Sequence, residues 1–575
     1  MTPQNKAPAD DTLRSADEAL VTRLRRHAGE HLPLEAVPAR FVIVDDLPTL
    51  PNGKIDRNAL ADLAGEAPEE FADQAEGCPD AETGLLARLF ATAMSRAHVG
   101  VDDDLTLLGV GSLLLMQVCA EWTACTGRRV DATRLAGNPT VRTIAASPAA
   151  LRTADRTGVE VEDCSFDVPL DHDDPRGSTL SVFARIVRRH TGESVGDRPY
   201  LLFLQGGPGA QCPDPRKKLL AWLDVALDHF QVVLLDQRGG GQSSPDTVAA
   251  AAAMPAPAAA SRIRCFRADS IVRDAEILRK RILRTPTWTI LAESYGGAIA
   301  LTYVSLFPDS LDRVLVSSGL VGPFGEVEDV LRETLAVSKQ KNAEYYRRYP
   351  EDAEAVGRIV SHLEATEVHL AGGDRLSPGR FAMLGVMFGF AGGMEAVHDL
   401  VGTAWADAEL ASDFLDAVAT RTIYSPSPLF YLQEYVYGVP GRATNWAARR
   451  LCSTDPEFGH DARPFPFTGE VFFPWMFHEI ALLRPFADAA DELARYTDWT
   501  PLYDPVRLAA NTVPIYAVAV ADDLYAPLGR QIRTAQQIGC CWLMLSPARD
   551  HTALMNDRMA FAPLLAFASN RGGPR

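Results

Sequence analysis

Continuous apolar runs, each leading into glycine or polar residues, recur along the chain beyond residue 158. They occupy residues 200–205, 232–235, 288–293, 513–520 and 541–545. Such runs predict strands buried on both faces, and the helical patterns between them predict a mostly parallel sheet covered by helices on both sides. From about residue 324 to residue 500 the alternation stops, and a largely helical, aromatic-rich stretch predicts a cap inserted over the carboxyl ends of the strands.

The front of the chain follows a different pattern, which predicts two small domains joined by a linker. Residues 1–65 combine a helical stretch with a short strand and predict a small α+β subdomain. Residues 66–80 are acidic, polar and interrupted by proline, as expected of a flexible linker. Residues 81–150 hold an amphipathic helix and further short helical patterns, which predict a four-helix bundle. We therefore expect a multidomain protein whose α/β domain covers residues 158–575.

The composition narrows the classes of function. The chain has 575 residues, of which 47% are hydrophobic and 23% charged, as in soluble globular proteins of several domains. Its net charge of −19 argues against nucleic acid or an anionic membrane as a partner. No apolar run is long enough to span a bilayer and no signal-peptide core is present, so we expect a cytoplasmic protein. Nine cysteines without Cys-x-x-Cys pairs favour reduced thiols, and the twelve histidines show no ligand-like clustering, so no metal is expected.

Ser294 lies where an apolar run meets a helical pattern, in the sequence Ala292-Glu-Ser-Tyr-Gly296. A strand, a sharp turn and a helix with serine at the corner form the nucleophile elbow of a serine hydrolase. The small residues are needed because larger side chains would clash where the strand and the helix approach each other. The usual pattern is Gly-x-Ser-x-Gly, and Ala292 replaces the first glycine. The alternative interpretation is a serine that merely caps a helix.

Acidic and histidine residues follow the last two apolar runs in the order that a catalytic triad requires. Asp522 and Asp523 follow the run at 513–520, and His551 follows the run at 541–545. Nucleophile, acid and histidine, each just past the carboxyl end of a strand, is the arrangement of the α/β-hydrolase triad. We expect His551 to take the proton of Ser294 and return it to the leaving group, while the acid fixes the imidazole tautomer.

A glycine-rich loop follows the first of the apolar runs, at Gly206-Gly-Pro-Gly209. Such a loop can turn backbone N–H groups toward the oxyanion that forms during acyl transfer. We expect the N–H groups of Gly207 and Tyr295 to form this oxyanion hole.

Several separated motifs resemble the proline iminopeptidase (prolyl aminopeptidase) family of α/β-hydrolases. They are Gly206-Gly-Pro-Gly209, Asp236-Gln-Arg-Gly239, Phe266-Arg-Ala-Asp-Ser-Ile-Val-Arg-Asp-Ala-Glu276 and Ser294-Tyr-Gly-Gly297. The resemblance covers about residues 158–570, with Gln205 where the family usually has histidine. It implies a serine aminopeptidase, and it favours Asp523 over Asp522 as the triad acid because Asp523-Leu-Tyr-Ala-Pro527 matches the family's Asp-x-x-x-Pro.

Three stretches of the predicted cap also resemble this family, Tyr431-Leu-Gln-Glu-Tyr435, Thr444-Asn-Trp-Ala-Ala448 and Phe467-Thr-Gly-Glu-Val-Phe-Phe-Pro-Trp-Met-Phe477. In the family, acidic cap residues bind the free α-amino group of the substrate, which implies this role for Glu434 and Glu470. A carboxylate in an aromatic-walled pocket pairs well with an ammonium group. The alternative is that each glutamate caps a helix or pairs with an arginine such as Arg421 or Arg449.

The stretch Leu47-Pro-Thr-Leu-Pro-Asn-Gly-Lys-Ile-Asp-Arg-Asn-Ala-Leu60 resembles the end of a nonribosomal peptide synthetase adenylation domain. In that family the lysine of Asn-Gly-Lys-x-Asp-Arg reaches the acyl-adenylate, and Lys54 is the matching position. The chain shows no nucleotide-binding core or phosphate loop of its own. Lys54 therefore acts on a separate adenylation core in trans, or it belongs to a remnant with a docking role; a solvated turn lysine is the plainest interpretation.

The stretch Asp102-Asp-Asp-Leu-Thr-Leu-Leu-Gly-Val-Gly-Ser-Leu-Leu-Leu-Met-Gln117 resembles the attachment site of an acyl or peptidyl carrier protein. The resemblance implies 4′-phosphopantetheine on Ser112, transferred by a phosphopantetheinyl transferase. Gly111 stands where the family normally has Asp or His. The alternative role for Ser112 is a plain helix N-cap.

The order of these parts indicates a function in nonribosomal peptide or natural-product biosynthesis. We expect a serine hydrolase of the aminopeptidase or thioesterase type that acts on an aminoacyl or peptidyl group tethered to the carrier. One alternative is an aminopeptidase that cleaves free peptides while the carrier is vestigial. Another is a non-catalytic scaffold that docks synthetase partners.

Overall fold

The chain separates into two units in a computed structural model, Met1–Leu151 and Arg152–Arg575. The structure describes residues 81–94, 96, 98–105, 108, 110, 114, 118, 122, 140–145, 153–154, 158–189, 198–322, 325–459, 461–546 and 550–569. The predicted α+β subdomain, the linker, Lys54 and Ser112 lie outside these residues, so the expectations for them stay predictions. No helix within the described ranges is both long enough and apolar enough to cross a membrane.

The first unit contains two described helices, α1 (Ala81–Ala93) and α2 (Val141–Ala145). Its core consists of buried apolar side chains that come from both helices and from the segment between them: Leu86, Phe90, Val99, Leu105, Val118, Trp122, Val141 and Ile144. This arrangement is what a small helical bundle requires. Leu114, Val118 and Trp122, between α1 and α2, are also helical, and the rest of the predicted four-helix bundle lies outside the described residues.

The second unit is built on a nine-stranded sheet. The strands of this sheet are β1 (Thr153–Ala154), β2 (Val159–Pro169), β3 (Thr179–Arg189), β4 (Tyr200–Leu204), β5 (Gln231–Leu235), β6 (Trp288–Glu293), β7 (Leu311–Ser317), β10 (Ile515–Val520) and β11 (Cys541–Ser546), while β8 (Trp405–Ala406) and β9 (Glu409–Leu410) form a separate hairpin. The order across the sheet is β1-β2-β3-β5-β4-β6-β7-β10-β11. From β5 to β11 all neighbours are parallel, whereas β1, β2 and β3 pair antiparallel.

The second unit contains helices that cover both faces of this sheet and helices that form an insertion. The described helices that follow α2 are α3 (Ala221–Ala226), α4 (Pro245–Ala251), α5 (Ala256–Arg264), α6 (Ala268–Ile277), α7 (Tyr295–Leu306), α8 (Val327–Arg348), α9 (Asp352–Ala365), α10 (Pro378–Ala382), α11 (Gly393–Gly402), α12 (Ser412–Arg421), α13 (Ala447–Thr454), α14 (Met476–Glu479), α15 (Ala487–Arg495), α16 (Pro505–Ala509), α17 (Leu528–Gln537), α18 (Ala553–Asn556) and α19 (Arg558–Ser569). A π-helix at Leu278–Leu283 extends α6, and 3₁₀ turns lie at Pro308–Ser310, Met383–Gly389, Pro428–Phe430, Gln433–Tyr435, Pro456–Phe458 and Arg484–Phe486.

The apolar runs are continuous because each central strand is buried on both faces. Along β4, Leu202 and Leu204 belong to the core shared with α5, α6 and α7. Their neighbours Leu201 and Phe203 belong to the opposite core, which Trp222 of α3 and Phe561 of α19 complete. The prediction of a mostly parallel sheet with helices on both faces is therefore confirmed.

A helical insertion separates β7 from β10, as the loss of alternation predicts. Its helices α8 to α15 run from Val327 to Arg495. Part of this cap has its own core, in which Tyr345, Phe381, Phe388 and Phe467 are buried. The cap thus packs as an ordered layer and places its 3₁₀ turns and loops near the carboxyl ends of the strands.

The motif Asp236-Gln-Arg-Gly239 follows β5 and ties several loops together. The buried side chain of Arg238 donates two hydrogen bonds to Asp274, at 2.7 and 2.6 Å, and others to the carbonyl oxygens of Pro169, Leu170 and Cys265. Both members of this ion pair are buried, at 0% and 1% side-chain exposure. The motif therefore has a structural role, and Asp274 balances the positive charge of the buried Arg238 side chain.

We expect Asp274→Ala to destabilise the protein by about 3–5 kcal/mol, because it leaves the Arg238 guanidinium buried without a counter-charge. The matched control is Arg273→Ala, which removes an ion pair with Asp173 whose side chains are 30% and 72% exposed. Such exposed pairs contribute at most about 1 kcal/mol. Urea unfolding followed by tryptophan fluorescence measures both variants, and equal midpoints for the two would contradict this structural role.

Candidate active site

Ser294 occupies a sharp turn between β6 and α7. Its backbone has φ 53° and ψ −123°, a strained conformation for a residue with a side chain. A Cβ atom at Gly296 would lie 2.0 Å from the carbonyl oxygen of Leu204, and one at Gly297 would lie 1.9 Å from that of Gly319. Only glycine fits at these two positions, which explains the small residues after the serine.

Asp523 and His551, two residues of the predicted triad, form a buried pair. Asp523 Oδ1 accepts hydrogen bonds from the N–H groups of Tyr525, at 2.9 Å, and Ala526, at 3.0 Å. Its Oδ2 lies 2.8 Å from His551 Nδ1, and both side chains are buried. Asp522 instead receives a hydrogen bond from Lys341 Nζ at 2.6 Å. The structure thus brings Asp523, not its neighbour, to the histidine.

Three carboxyl groups set the protonation of His551. Burial alone would lower the pKa of the imidazole, but Asp523, Glu293 and Glu470 outweigh it and raise that pKa to about 9. Burial in turn raises the pKa of Glu293, with His551 opposing, and raises the pKa of Glu470 to about 7. The histidine is a strong base once deprotonated, in a region of excess negative charge.

The glycine-rich loop lies directly against Ser294. A Cβ at Gly206 would stand 3.1 Å from the Cβ of Ser294. Gln237 holds the loop, since its Nε2 donates to the carbonyl oxygen of Gln205 at 2.6 Å and its Oε1 accepts from the N–H of Gly209 at 3.4 Å. The loop is therefore held beside Ser294, and its role as an oxyanion hole stays a prediction.

A cavity opens at Ser294. Its walls come from the glycine loop, the start of α7, the cap and the segment after Asp523. The lining residues are Gly207, Pro208, Ser294, Tyr295, Ala298, Ser318, Val321, Val330, Thr334, Gln433, Val436, Tyr437, Glu470, Tyr525, Ala526, Pro527 and Arg530. Both residues predicted for the oxyanion hole, Gly207 and Tyr295, are among them.

The two glutamates predicted to bind an amino group lie in different places. Glu470 lines the cavity and accepts a hydrogen bond from Gln433 Nε2 at 2.7 Å. Glu434 is buried but is not among the lining residues. Burial raises its pKa to about 8, although Arg450 and the N–H groups of Trp446 and Ala447 oppose this rise. Those N–H groups lie at the start of α13, so Glu434 faces a helix N-terminus, as in the alternative interpretation.

The sequence motifs did not single out four polar residues of the cavity, Gln433, Tyr437, Tyr525 and Arg530. Gln433 lies beside Glu434 in the family motif, and Tyr525 lies inside Asp-x-x-x-Pro, so these two carried a signal. Gln433 lines the cavity because of its position in the 3₁₀ turn at Gln433–Tyr435. The sequence pattern did not predict which residue of this turn would face the cavity. Tyr437 and Arg530 lie in no motif.

The described residues bring one group of potential metal ligands together, Glu351, Asp352 and His398 in the cap. Asp352 already accepts hydrogen bonds from the Tyr345 hydroxyl and pairs with His398 Nδ1 at 3.0 Å. His398 also stacks on Tyr349, with ring centroids 4.0 Å apart. These contacts make the group part of the packing of the cap.

The sheet topology is that of an α/β hydrolase, and the family model described as "alpha/beta hydrolase fold" matches residues 199–361. The chain is 36% identical over 405 residues to Proline iminopeptidase from Aeromonas sobria, covering 70% of this chain and 94% of that protein. It is also 36% identical over 391 residues to Proline iminopeptidase aneH from Aspergillus aculeatus, covering 65% and 85%. The chain belongs to the proline iminopeptidase family.

The first unit has different relatives. A family model described as "Phosphopantetheine attachment site" matches residues 84–147. The chain is also 38% identical over 143 residues to the Dimodular nonribosomal peptide synthase of Bacillus subtilis, covering 24% of this chain and 6% of that protein. A carrier domain of the nonribosomal synthetase type is thus linked to the hydrolase.

We expect Asp523→Asn to lower kcat by about 10⁴-fold, because an amide cannot stabilise the imidazolium or hold the productive tautomer. Asp522→Asn is the matched control, since that carboxylate pairs with Lys341 and is 38% exposed. Its kcat should stay within a few-fold of the wild type. Hydrolysis of an alanyl reporter amide measures both, and equal losses would contradict the assignment of Asp523.

We expect Glu470→Gln to shift the acidic limb of kcat/KM to lower pH. His551 must be neutral to accept the Ser294 proton, so activity falls as pH drops below its raised pKa of about 9. Glu470 is ionised in that range, because its own pKa is about 7, and its loss lowers the pKa of His551. A pH series of kcat/KM checks the shift. An unmoved limb would show that Glu470 exerts no field on the histidine.

Proposed function

We propose that this protein is a serine hydrolase of the aminopeptidase or thioesterase type that acts on an aminoacyl or peptidyl group tethered to its own carrier domain. The observation that carries the proposal is Glu470, a carboxylate in the same cavity as Ser294. An acyl group with a free amine would place its ammonium at Glu470 and its carbonyl carbon at the nucleophile. The setting is nonribosomal peptide or natural-product biosynthesis.

The carrier domain supports a tethered substrate. Residues 84–147 match the attachment-site family, and Ser112 is the hydroxyl that would take 4′-phosphopantetheine from a phosphopantetheinyl transferase. The buried apolar core formed around α1 and α2 is what a carrier bundle requires. When bound, the group supplies a thioester link to the acyl group. A covalent link between the two units raises the effective concentration of that acyl group at Ser294.

The residues of the hydrolase supply the chemistry. His551 takes the Ser294 proton as Oγ attacks the carbonyl carbon, and the N–H groups of Gly207 and Tyr295 hold the oxyanion. The carbonyl re-forms, the bond to the leaving thiol or amine breaks, and His551 returns the proton to that group. Water or an amine then attacks the acyl-serine, with His551 as base again, and Ser294 is restored.

The second candidate is an aminopeptidase that acts on free peptides, with a vestigial carrier. The observation that favours it is the 36% identity to Proline iminopeptidase from Aeromonas sobria over 94% of that protein. The acyl-serine steps are the same for both candidates, so the leaving group separates them.

An adenylation core or a synthetase module that works in trans with Lys54 is the partner proposed for the front of the chain.

The test is the intact mass of the full-length protein after incubation with a phosphopantetheinyl transferase and aminoacyl-coenzyme A donors. We expect wild type and Ser294→Ala to gain the arm equally, with the aminoacyl group persisting only in Ser294→Ala. The physical reason is that hydrolysis of the thioester needs the Ser294 hydroxyl. The matched control is Ser112→Ala, which should gain no mass.

The other outcomes are equally informative. Equal persistence of the aminoacyl group on wild type and Ser294→Ala would overturn the thioesterase proposal. Lack of arm transfer, together with Ser294-dependent cleavage of free alanyl or prolyl peptides, would establish the second candidate. Lack of both activities would leave a docking scaffold, the third expectation from the sequence.

A further inference from the structure

Arg530 places a guanidinium group in the wall of the active-site cavity. It lies in α17, close after the Asp523 loop, and its side chain is 11% exposed. It lines the same cavity as Ser294 and Glu470. Its Nε donates to the carbonyl oxygen of Val321 at 3.1 Å, which fixes the side chain against the wall. This arginine has no part in the triad chemistry described above.

The charge of Arg530 is only partly balanced by protein. Its Nη1 lies 3.5 Å from Glu333 Oε1, and the same oxygen pairs more closely with Arg533. One carboxylate thus serves two guanidinium groups. No hydrogen bond from Arg530 Nη2 to another described residue is formed. The largely buried guanidinium of Arg530 would be stabilised by a further anion. Because Arg530 lines the cavity, that anion can come from a bound ligand.

We propose that Arg530 is a specificity-determining residue that selects substrates bearing a carboxylate, an inference that rests on the proposed function. The cavity would then recognise both charges of its substrate, the ammonium group at Glu470 and the carboxylate at Arg530. Guanidinium groups bind carboxylates through paired, charge-assisted hydrogen bonds, so the preference should be for carboxylate over its uncharged amide.

The carboxylate has two possible sources. An acidic side chain on the N-terminal residue would put it on the acyl part of the substrate. The C-terminus of a short peptide would put it on the leaving part. Tyr437 lines the cavity and donates to Gln433 Oε1 at 2.9 Å, and Gln433 donates to Glu470. Arg530 opposes the rise in the Tyr437 pKa that burial causes, so its guanidinium lies close to this chain of side chains, which favours the acyl part.

The experiment compares isosteric pairs of substrates with the full-length protein. Reporter amides of Glu and Gln, and of Asp and Asn, test the acyl part, while Ala-Ala and Ala-Ala-amide test the leaving part. Alanyl and prolyl reporters measure cleavage without a second charge. The variants are Arg530→Gln, Arg530→Lys and the matched control Arg533→Gln, whose side chain shares Glu333 but is 53% exposed and lies outside the cavity lining.

We expect the wild type to favour the carboxylate member of one pair in kcat/KM by at least about tenfold, as for a hydrogen bond to a charged group. Arg530→Gln should bring this ratio close to one, Arg530→Lys should retain part of it, and Arg533→Gln should leave it unchanged. Thermal unfolding of each variant shows whether it is folded. The pair that responds identifies the source of the carboxylate.

Two results would overturn the inference, and they differ from failure of the proposed function. A wild type that cleaves the alanyl reporter with no preference in any of the three pairs shows that Arg530 selects nothing. A preference that survives in folded Arg530→Gln assigns the selection elsewhere. Lack of cleavage of every substrate, with wild type equal to Ser294→Ala, overturns the proposed function and this inference with it.

Discussion

The close approach of three backbones around Ser294 is the constraint on which the rest of the site depends. The turn after β6 passes so near to the ends of β4 and β7 that Gly296 and Gly297 have no room for a Cβ. This contact holds Ser294 at positive φ and keeps its side chain beside Gly206. The strain is tolerated because the parallel sheet fixes all three segments from both faces. The nucleophile is thus positioned by packing, before any hydrogen bond acts on it.

The charges around His551 are the second determinant of the site. Glu293, Glu470 and Asp523 surround one buried imidazole, and together they favour its protonated form. An imidazolium that is stabilised in this way lowers the barrier for proton transfer from Ser294, whereas the resting base is available only at higher pH. Binding of a substrate ammonium at Glu470 would neutralise one of these charges. In the proposed function, substrate binding would therefore lower the basicity of His551 through a single carboxylate.

The sequence predicted the parts of this site that depend on position along a strand. Ser294, Asp523 and His551 each follow the end of a buried run, and a parallel sheet brings such ends together. It could not separate Gln433 from Glu434, because the direction of a side chain in a 3₁₀ turn is set by tertiary packing. The sequence could not identify Arg530 as a candidate binding residue. That inference depends on the observation that Arg530 shares the carboxylate of Glu333 with Arg533. Lys54 and Ser112 stay predictions from resemblance alone.

The residues proposed for catalysis and those proposed for recognition of the amine come from different parts of the second unit. Ser294, His551 and the glycine loop follow β6, β11 and β4, so the sheet sets their positions. Glu470 and Gln433, the residues proposed to meet the amine, come instead from the insertion between β7 and β10. A thiol is a better leaving group than an amine, so cleavage of a thioester needs less stabilisation from the oxyanion hole than cleavage of an amide. A peptidase site joined to a carrier therefore needs no new catalytic group to release a tethered acyl chain, only a cavity that accepts its free amine.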